Sequence, residues 1–396
     1  MSEVRANNLT NANQTGGPTL SGITTFSSPH FFVPPRGDTA SRPSGSPIGA
    51  LRFNTDSAKL EYYRGDTIGW TEIEADSSEV GGGSGSNENS LGARGIFGGG
   101  STGTPTFQYF NAIEFITVST FGNSQDFGDL IEAAKLQGGG RTGSTQTRMI
   151  FAGNYSAQRD AIEFVTVPSK GNATDFGNLS VARYNLSTCN DRVRAIFGGG
   201  ASPTARNTMD YVTISTTGNA LDFGDIGHTG GCSASHSSST RGFYYQAGGP
   251  NAPKGALNTV VMRTLGNSTH WADSYTNNTG LGGGSNNAVR AIYGGGYLTT
   301  AMNFFTLATQ GNGVDFGDLY QRCYNGTSSS SSTRWCLHGG QNYVNVGGSH
   351  TYPAVDDIQT VQFASTGNAV EFGTVTTTTS NDAHNQQGGS NEHGGI

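Results

Sequence analysis

The chain has 396 residues with 61 Gly, only 13% charged residues and a formal net charge of −7. A helical bundle needs Leu, Ala, Glu and Lys in bulk, so this composition excludes one, and 21 Phe with 15 Tyr are too many aromatic residues for simple disorder. No basic block favours nucleic acid as a partner, and no apolar run approaches the length needed for membrane insertion. Abundant Gly, Ser, Thr and Asn between spaced aromatics predict an all-β chain of short strands and many turns.

Three segments are predicted ahead of residue 93. Residues 1–35 are polar and lack the apolar core of a signal peptide, so we expect an extended arm on a protein that is made and assembled in a cytoplasm. Residues 36–75 hold three β-rich runs separated by turns around Asn54 and Gly65, which predicts a small β-meander. Its core is marginal, so it should need another chain or copy. Residues 76–92 are a Gly/Ser-rich linker.

Two stretches of the N-terminal part carry a resemblance. They are the opening S-E-V-R-A-N-N-L from Ser2 with Gly16-Gly17-Pro18, and P-x-G-x-x-R-F-N-T-D-x-x-K-L-E-Y-Y-x-G-x-x-x-G-W from Pro47 to Trp70. In these residues, which cover about the first 75 positions, the chain resembles tail-fibre-like virion structural proteins of tailed phages of the cyanophage type. The resemblance implies that residues 1–75 attach to other virion proteins, in the tail, neck or baseplate, and that the remainder projects outward.

Two motifs share one period from residue 93 onward. An Arg followed by apolar residues and Gly recurs at intervals of 44–54 residues, at Arg94, Arg148, Arg194, Arg241, Arg290 and Arg334. A Gly-Asn pair is followed each time by an aromatic residue, at Phe127, Phe176, Phe223, Trp271, Phe316 and Phe372. Six repeats of about 45–50 residues with four predicted strands each are typical of a six-bladed β-propeller, here over residues 93–396.

The two ends of the repeat region indicate how the ring closes. The first repeat begins at Arg94 without a preceding strand, whereas the last has surplus chain from Thr374 to Ile396. We expect a C-terminal strand to complete the first blade and remove the free edges. The Gly run after the Arg motif resembles the double glycine of kelch propellers, so the predicted shape is kelch-like.

Two further positions repeat with the motifs. An acidic residue precedes the aromatic in five repeats, with His270 in the other; the acids are Asp126, Asp175, Asp222, Asp315 and Glu371. We expect each to form a structural ion pair or strand-end hydrogen bond with the repeat Arg, and a functional ring of charge is the alternative. A second polar position is filled by Glu114, Glu163, Asp210, Asn258, Asn303 and Gln359. We expect these at solvated strand ends, the alternatives being a channel lining or a sugar site.

The fourth repeat departs most from the others and supplies the candidate ligand site. An exposed cluster of Tyr244, Tyr245, His270 and Trp271 would suit stacking against a glycan, and drift within the repeat is the alternative. No catalytic triad, metal-ligand spacing or phosphate loop is present, so we expect no catalytic residue, no metal and no cofactor. Cys323 and Cys336 could lie on neighbouring strands, although free thiols are favoured.

These observations favour a non-enzymatic virion protein. The first hypothesis is a tail-fibre-like protein whose propeller loops bind a glycan or protein of the host surface. The second is an assembly or decoration protein of the neck, baseplate or capsid without a receptor role, and the third is a polysaccharide depolymerase. Homo-oligomerisation is expected, although no coiled-coil heptads enforce it.

Overall fold

The computed structural model describes residues 34–57, 59–72, 93–101, 108–133, 142–155, 159–201, 203–246, 255–274, 282–296, 299–342, 344–346, 349–351, 353–376 and 386–391. The chain divides into two compact units, residues 1–77 and 78–396. All elements of the described residues are β-strands, as the composition predicts. The predicted linker 76–92 and all but the last two residues of the predicted N-terminal arm lie outside the described residues.

The N-terminal unit contains one four-stranded sheet. Its strands, in sheet order, are β1 (Arg36–Gly37), β2 (Leu51–Asn54), β3 (Lys59–Tyr63) and β4 (Trp70–Glu72). β2, β3 and β4 are the antiparallel meander expected from the sequence, and β1 adds a parallel edge strand. Residues 64–69 turn the chain between β3 and β4, where Gly65 and Gly69 both have positive φ, which side chains with a Cβ rarely adopt.

The C-terminal unit contains six four-stranded antiparallel sheets among its described residues, which we number 1 to 6 along the chain. The strands of each sheet are labelled a to d in sheet order. Sheet 1 consists of β30 (Gln387–Ser390), β5 (Arg94–Gly98), β6 (Ala112–Thr117) and β7 (Gln125–Asp129); sheet 2 of β8 (Gly143–Ser144), β9 (Arg148–Asn154), β10 (Arg159–Thr166) and β11 (Thr174–Asn178); sheet 3 of β12 (Ser187–Asn190), β13 (Arg194–Gly198), β14 (Thr208–Thr213) and β15 (Leu221–Asp225). Sheet 4 consists of β16 (Cys232–Ser237), β17 (Arg241–Gln246), β18 (Ala256–Val261) and β19 (Thr269–Asp273); sheet 5 of β20 (Gly283–Asn286), β21 (Arg290–Gly294), β22 (Ala301–Thr306) and β23 (Val314–Asp318); sheet 6 of β24 (Thr327–Ser330), β25 (Arg334–His338), β28 (Asp357–Gln362) and β29 (Val370–Thr374). A hairpin of β26 (Val344–Val346) and β27 (Ser349–Thr351) stands between strands b and c of sheet 6.

The a strands lie together at the centre of this unit. Each contacts the a strand of the next sheet, and β30 contacts both β24 and β8. β30 pairs with β5, so the tail of the chain supplies strand a of the first sheet. The arrangement is β-propeller-like.

Apolar side chains fill the spaces between neighbouring sheets. One cluster joins Ile96, Phe115 and Phe127 of sheet 1 to Met149 and Phe151 of sheet 2. Sheets that pack on both faces bury bulky residues on both, which explains strands such as β6 with four consecutive buried positions. All four cysteines are buried and free, and burial raises the pKa of the Cys323 and Cys336 thiols to about 12.

Candidate functional site

The repeat Arg joins each sheet to the next. In five sheets its Nη1 donates a hydrogen bond of 2.8–3.3 Å to the carbonyl oxygen of the first residue after strand c of the following sheet. The pairs are Arg94–Val167, Arg148–Ile214, Arg194–Met262, Arg290–Phe363 and Arg334–Val118. The last of these connects sheet 6 to sheet 1. The repeat Arg is therefore a structural fastener between sheets.

The guanidinium groups of all six repeat Arg residues, including Arg241, lie over an aromatic ring. The distance from Cζ to the ring centroid is 4.6–5.1 Å for Arg94–Phe115, Arg148–Phe164, Arg194–Tyr211, Arg241–Trp271, Arg290–Phe304 and Arg334–Phe121. Stacking on a ring is favourable for a planar, delocalised cation and less so for an ammonium group. This second contact explains why the position is Arg rather than Lys.

The predicted Arg–carboxylate pairing is wrong. Asp126, Asp175, Asp222, Asp315 and Glu371 are exposed, and none of them forms an ion pair with a repeat Arg within the described residues. They lie on d strands, which are the outer edges of the sheets. Exposed edge strands invite pairing with other chains, and charged side chains on them oppose it. The acidic position is better explained as protection of the edge.

The Gly-Asn pair fastens the same sheets at a second place. In all six cases the Asn Oδ1 accepts a hydrogen bond of 3.0–3.1 Å from a backbone N–H at the end of the preceding sheet's d strand. The Asn residues are Asn172, Asn219, Asn267, Asn312, Asn368 and Asn123, and the last links sheet 1 to sheet 6. The pair therefore contacts the neighbouring sheet as well as turning its own chain.

A closed belt of hydrogen bonds joins the six a strands. One residue from each contributes: Ser144, Asn190, Ser237, Asn286, Ser330 and Ser390, each at most 1% exposed. Every neighbouring pair around the belt is joined by at least one hydrogen bond in which a Ser hydroxyl or an Asn side-chain amide of one residue bonds to the backbone of the other. The belt surrounds the centre of the unit, and the burial of all six residues shows that no open channel exposes them to solvent at this level. Small residues allow the a strands to approach this closely.

The second repeated polar position is buried, contrary to the expected solvated strand end. Glu114, Asp210, Asn303 and Gln359 are at most 1% exposed, Asn258 is 7% exposed, and Glu163 is half-buried. Three of these side chains accept a backbone N–H from the chain that leaves the preceding sheet: Ile131 to Glu163, Ser180 to Asp210 and Gln321 to Gln359. The position therefore anchors the connections between sheets.

Two of these anchoring side chains are acidic, those of Asp210 and Glu163, and they differ in how their charge is accommodated. Asp210 forms an ion pair of 2.7 Å with Arg183, and both side chains are completely buried. Burial raises the pKa of Glu163, which lies beneath an exposed ion pair between Arg159 and Glu132. Sequence reasoning missed Arg183 because it falls outside both repeated motifs.

The two ends of the C-terminal unit differ in their connections. At one end the a–b turns have three residues each (145–147, 191–193, 238–240, 287–289, 331–333) and the c–d connections seven each (118–124, 167–173, 214–220, 262–268, 307–313, 363–369). At the other end the b–c loops range from four residues (155–158) to 18 (339–356), and the d–a connections from six (226–231) to 13 (130–142). We call these the uniform end and the variable end.

The variable end carries the candidate binding groups. Tyr155 is 40% exposed and its ring meets that of Tyr184 edge-on, with centroids 4.6 Å apart. Tyr320 is 45% exposed, and burial followed by the charge of Asp357 raises the pKa of its hydroxyl. Aromatic side chains with polar tips are suited to binding sugars and peptides.

The predicted ligand cluster in sheet 4 is wrong for three of its four members. Tyr244 and Tyr245 are completely buried and Trp271 is 8% exposed. β17 lies between two other strands, so its side chains pack against neighbouring sheets: the Tyr244 hydroxyl donates to the Ile196 carbonyl at 2.8 Å, and Tyr245 stacks on Tyr293 at 3.8 Å. His270 keeps an exposed side chain.

The described residues contain no group of three or more His, Cys, Asp or Glu placed to hold a metal ion. No helix in the described part of the chain is long and apolar enough to cross a bilayer. An open polar groove of about 360 Å³ is lined by Asn207, Asp225, His228, Asn267 and Ser268.

Comparison with known proteins yields a fold and no family. No family model and no curated protein matches the chain. Among solved structures it is similar to a protein described as YjhT, with a TM-score of 0.50, 10% identity, and coverage of 61% of this chain and 84% of that one. It also matches a fungal alcohol oxidase of the AA5 family in complex with copper, with a TM-score of 0.48, 14% identity and coverage of 73% of this chain; it covers 64%, less than two thirds, of that chain.

Proposed function

We propose that this protein is a non-enzymatic, tail-fibre-like virion component whose C-terminal unit is a six-bladed propeller that binds a host-surface glycan or protein. Its variable end is the binding surface, and its N-terminal unit attaches it to the particle. The observation that carries the proposal is the contrast between connections of constant and of variable length at the two ends. Binding surfaces are commonly built from variable loops on a rigid scaffold.

The scaffold is rigid for reasons given by the repeated contacts. Arg–carbonyl bonds, Gly-Asn bonds and the a-strand belt each join neighbouring sheets, and each also joins sheet 6 to sheet 1. The variable loops are anchored beneath by buried polar side chains such as Asp210 and Gln359. Loop sequences can therefore change while their bases stay fixed.

A binding role fits the chemistry better than catalysis. The buried acidic group Asp210 is neutralised by Arg183, and Glu114 accepts a hydrogen bond from Ser124. Glycoside hydrolysis needs two carboxyl groups about 5–10 Å apart in one accessible pocket. The described variable end offers exposed tyrosines, and partial burial together with the acidic groups beside one of them, Asp357 and Asp356 next to Tyr320, raises the pKa of its hydroxyl.

The attachment role rests on the resemblance of residues 47–70 to phage virion proteins. In this chain three polar residues of that pattern, Arg52, Asn54 and Glu61, form one buried network of hydrogen bonds and an ion pair. The pattern therefore specifies the fold of the unit. This is consistent with a small module reused in front of different C-terminal parts.

An adsorption competition tests the binding role. Purified full chain added to host cells before phage should slow adsorption, and Tyr155→Ala with Tyr320→Ala should weaken that effect at least several-fold. Leu265→Ala and Val289→Ala replace residues of comparable exposure at the uniform end and should not. Antibody labelling of intact particles tests the virion role. Labelling without competition would favour the assembly or decoration alternative, and no labelling would refute the proposal.

A further inference from the structure

The junction of sheets 3 and 4 departs from other junctions in the way its connection is held. At the two preceding junctions, the second residue after strand d donates its N–H to the second repeated polar position of the next sheet: Ile131 to Glu163, and Ser180 to Asp210. The equivalent N–H here is that of Gly227, and it donates to the Ser268 hydroxyl oxygen at 2.9 Å. The polar position of sheet 4, Asn258, is therefore left for another partner.

That partner is His228. Burial lowers the pKa of His228 to about 4, so its imidazole is uncharged at neutral pH. The Asn258 side-chain amide donates to Nδ1 at 3.3 Å, which leaves the ring proton on Nε2. His228 also lines the open polar groove described above, and its connection, residues 226–231, is the shortest of the d–a connections. The groove therefore has an uncharged ring in its wall.

Other groups that line this groove of about 360 Å³ keep unused hydrogen-bonding capacity. Asn267 is held by its Oδ1, which accepts the Asp225 N–H at 3.0 Å, and Ser268 is held by the bond from Gly227. The N–H groups of the Asn267 amide and the hydroxyl proton of Ser268 remain available as donors. The side chains of Asp225 and Asn207 form no hydrogen bond or ion pair within the described residues.

This combination of groups favours an uncharged ligand that carries hydroxyl groups. Asp225 is the only charged side chain lining the groove, so an anion would be repelled and a metal ion would find too few ligands. A cation could pair with Asp225 but could not accept a hydrogen bond from Asn267. An apolar ligand would leave these polar groups desolvated and unpaired. Each hydroxyl of a sugar both donates and accepts, which matches a carboxylate beside amide and hydroxyl donors.

We propose that the groove between sheets 3 and 4 is a subsite for a neutral sugar residue, bound through Asp225, Asn207 and Asn267. This inference rests on the proposed glycan-binding function and gives it a location. Asn207 ends the b–c loop of sheet 3 and residues 226–231 form its d–a connection, so both belong to the variable end. Sheet 4 contributes Asn267 and Ser268 because its c–d connection runs along β15, where the Ser268 N–H donates to the Asp225 carbonyl at 2.9 Å.

Saturation-transfer NMR on the full chain tests the subsite. The probes are glucose, galactose, mannose and rhamnose, each at up to about 20 mM, with glucose 6-phosphate as the anionic comparison. At least one neutral sugar should bind, and Asp225→Ala and Asn207→Ala should each weaken its binding about 10-fold, because a hydrogen bond to the sugar is lost. Glucose 6-phosphate should bind more weakly than glucose does. Since neither side chain bonds to another described residue, both variants should keep the urea midpoint of the wild type.

Asp222→Ala is the matched control, because it removes an exposed carboxylate from the same strand, β15, and should leave sugar binding unchanged. The subsite is refuted if none of the four sugars binds, or if Asp225→Ala and Asp222→Ala affect binding equally. The adsorption competition separates this result from the proposed function. Sugar binding in the groove without competition would refute the host-binding role alone, whereas competition that Asp225→Ala retains in full, with no sugar bound, would refute the subsite alone.

Discussion

Replacing Gly128 with Ala tests how neighbouring sheets are fastened. Gly128 and Gly171 have nearly the same φ, 152° and 151°, so Ala strains the backbone similarly at either position. They differ in the space around them. A Cβ on Gly128 would lie 2.4 Å from the carbonyl oxygen of Gly171, whereas a Cβ on Gly171 meets nothing within 4 Å. Gly171→Ala is therefore a control for backbone strain alone.

The extra cost at Gly128 can be worked out from the contacts that the clash disturbs. Moving the Gly171 carbonyl to an ordinary contact distance shifts the turn by roughly 1 Å. That shift breaks three hydrogen bonds: Gly171 N–H to Phe127 O at 2.9 Å, Ala173 N–H to Asp129 O at 2.7 Å, and Asp129 N–H to Asn172 Oδ1 at 3.1 Å. At about 1 kcal/mol each, their loss costs about 3 kcal/mol. Both variants also carry backbone strain of about 1–3 kcal/mol.

Urea unfolding followed by fluorescence measures the difference. Gly128→Ala should lower the free energy of unfolding by about 3 kcal/mol more than Gly171→Ala does. Equal effects of the two substitutions would refute the fastening role of the Gly-Asn turn. Sheet 4 already has Ala272 at the position equivalent to Gly128. The residue facing Ala272 is Gly311, the one Gly of the six Gly-Asn pairs without a positive φ. Both residues of this contact therefore depart from the pattern of the other five sheets.

Three further predictions concern the C-terminal unit. Arg194→Ala should lower the free energy of unfolding by about 3 kcal/mol, because it removes a cation–π contact and hydrogen bonds to the next sheet. Asp222→Asn should change that free energy by less than about 0.5 kcal/mol. If urea unfolding showed similar losses for both variants, an ion pair between the repeat Arg and the acidic residue would be supported after all. Burial lowers the pKa of His338 from 6.5 to about 3, so the unfolded chain takes up a proton at a higher pH than the folded chain does. The free energy of unfolding should therefore decrease below pH 6.5, by about 2 kcal/mol at pH 5. The urea midpoint of His338→Gln should depend less on pH over that range than the midpoint of the wild type. Removing residues 387–396 deletes strand a of sheet 1 and should make the unit sensitive to limited proteolysis, whereas a chain ending at Asn391 keeps β30 and should resist like the full chain.

The period of the repeats and their four strands each could be predicted from the sequence, whereas the additional hairpin of β26 and β27 was not. Arg94 and its five equivalents mark the start of every b strand. In the five equivalents the preceding turn supplies the side chain that accepts the Arg N–H, whereas Arg94 donates to Asn391 from the far end of the chain. The surplus chain after Thr374 indicated a strand for sheet 1, since the first repeat lacked one. These features depend on neighbours in the chain, so they appear as local patterns.

The partners of the repeated residues could not be predicted, because a backbone carbonyl leaves no mark in the sequence. Arg194 donates to Met262 O and Arg263 O, 68 and 69 residues away, and any residue could supply those oxygens. A carboxylate recurring at the same period was the visible candidate, and it proved to lie on the outer edge. The Tyr244–Tyr245 pair was misjudged for a related reason: composition indicates aromatic residues, while burial depends on which sheets flank the strand.

The N-terminal unit separates the two kinds of information most clearly. The alternation in Leu51–Asn54 and Lys59–Tyr63 is visible in the sequence and determines that Arg52 and Glu61 share a face opposite to that of Leu51 and Tyr62. Only the tertiary structure decides which face is inside, because residues 38–46 fold over the charged one and hydrogen-bond to it. Periodicity determines which side chains lie together, whereas burial depends on segments distant in the chain.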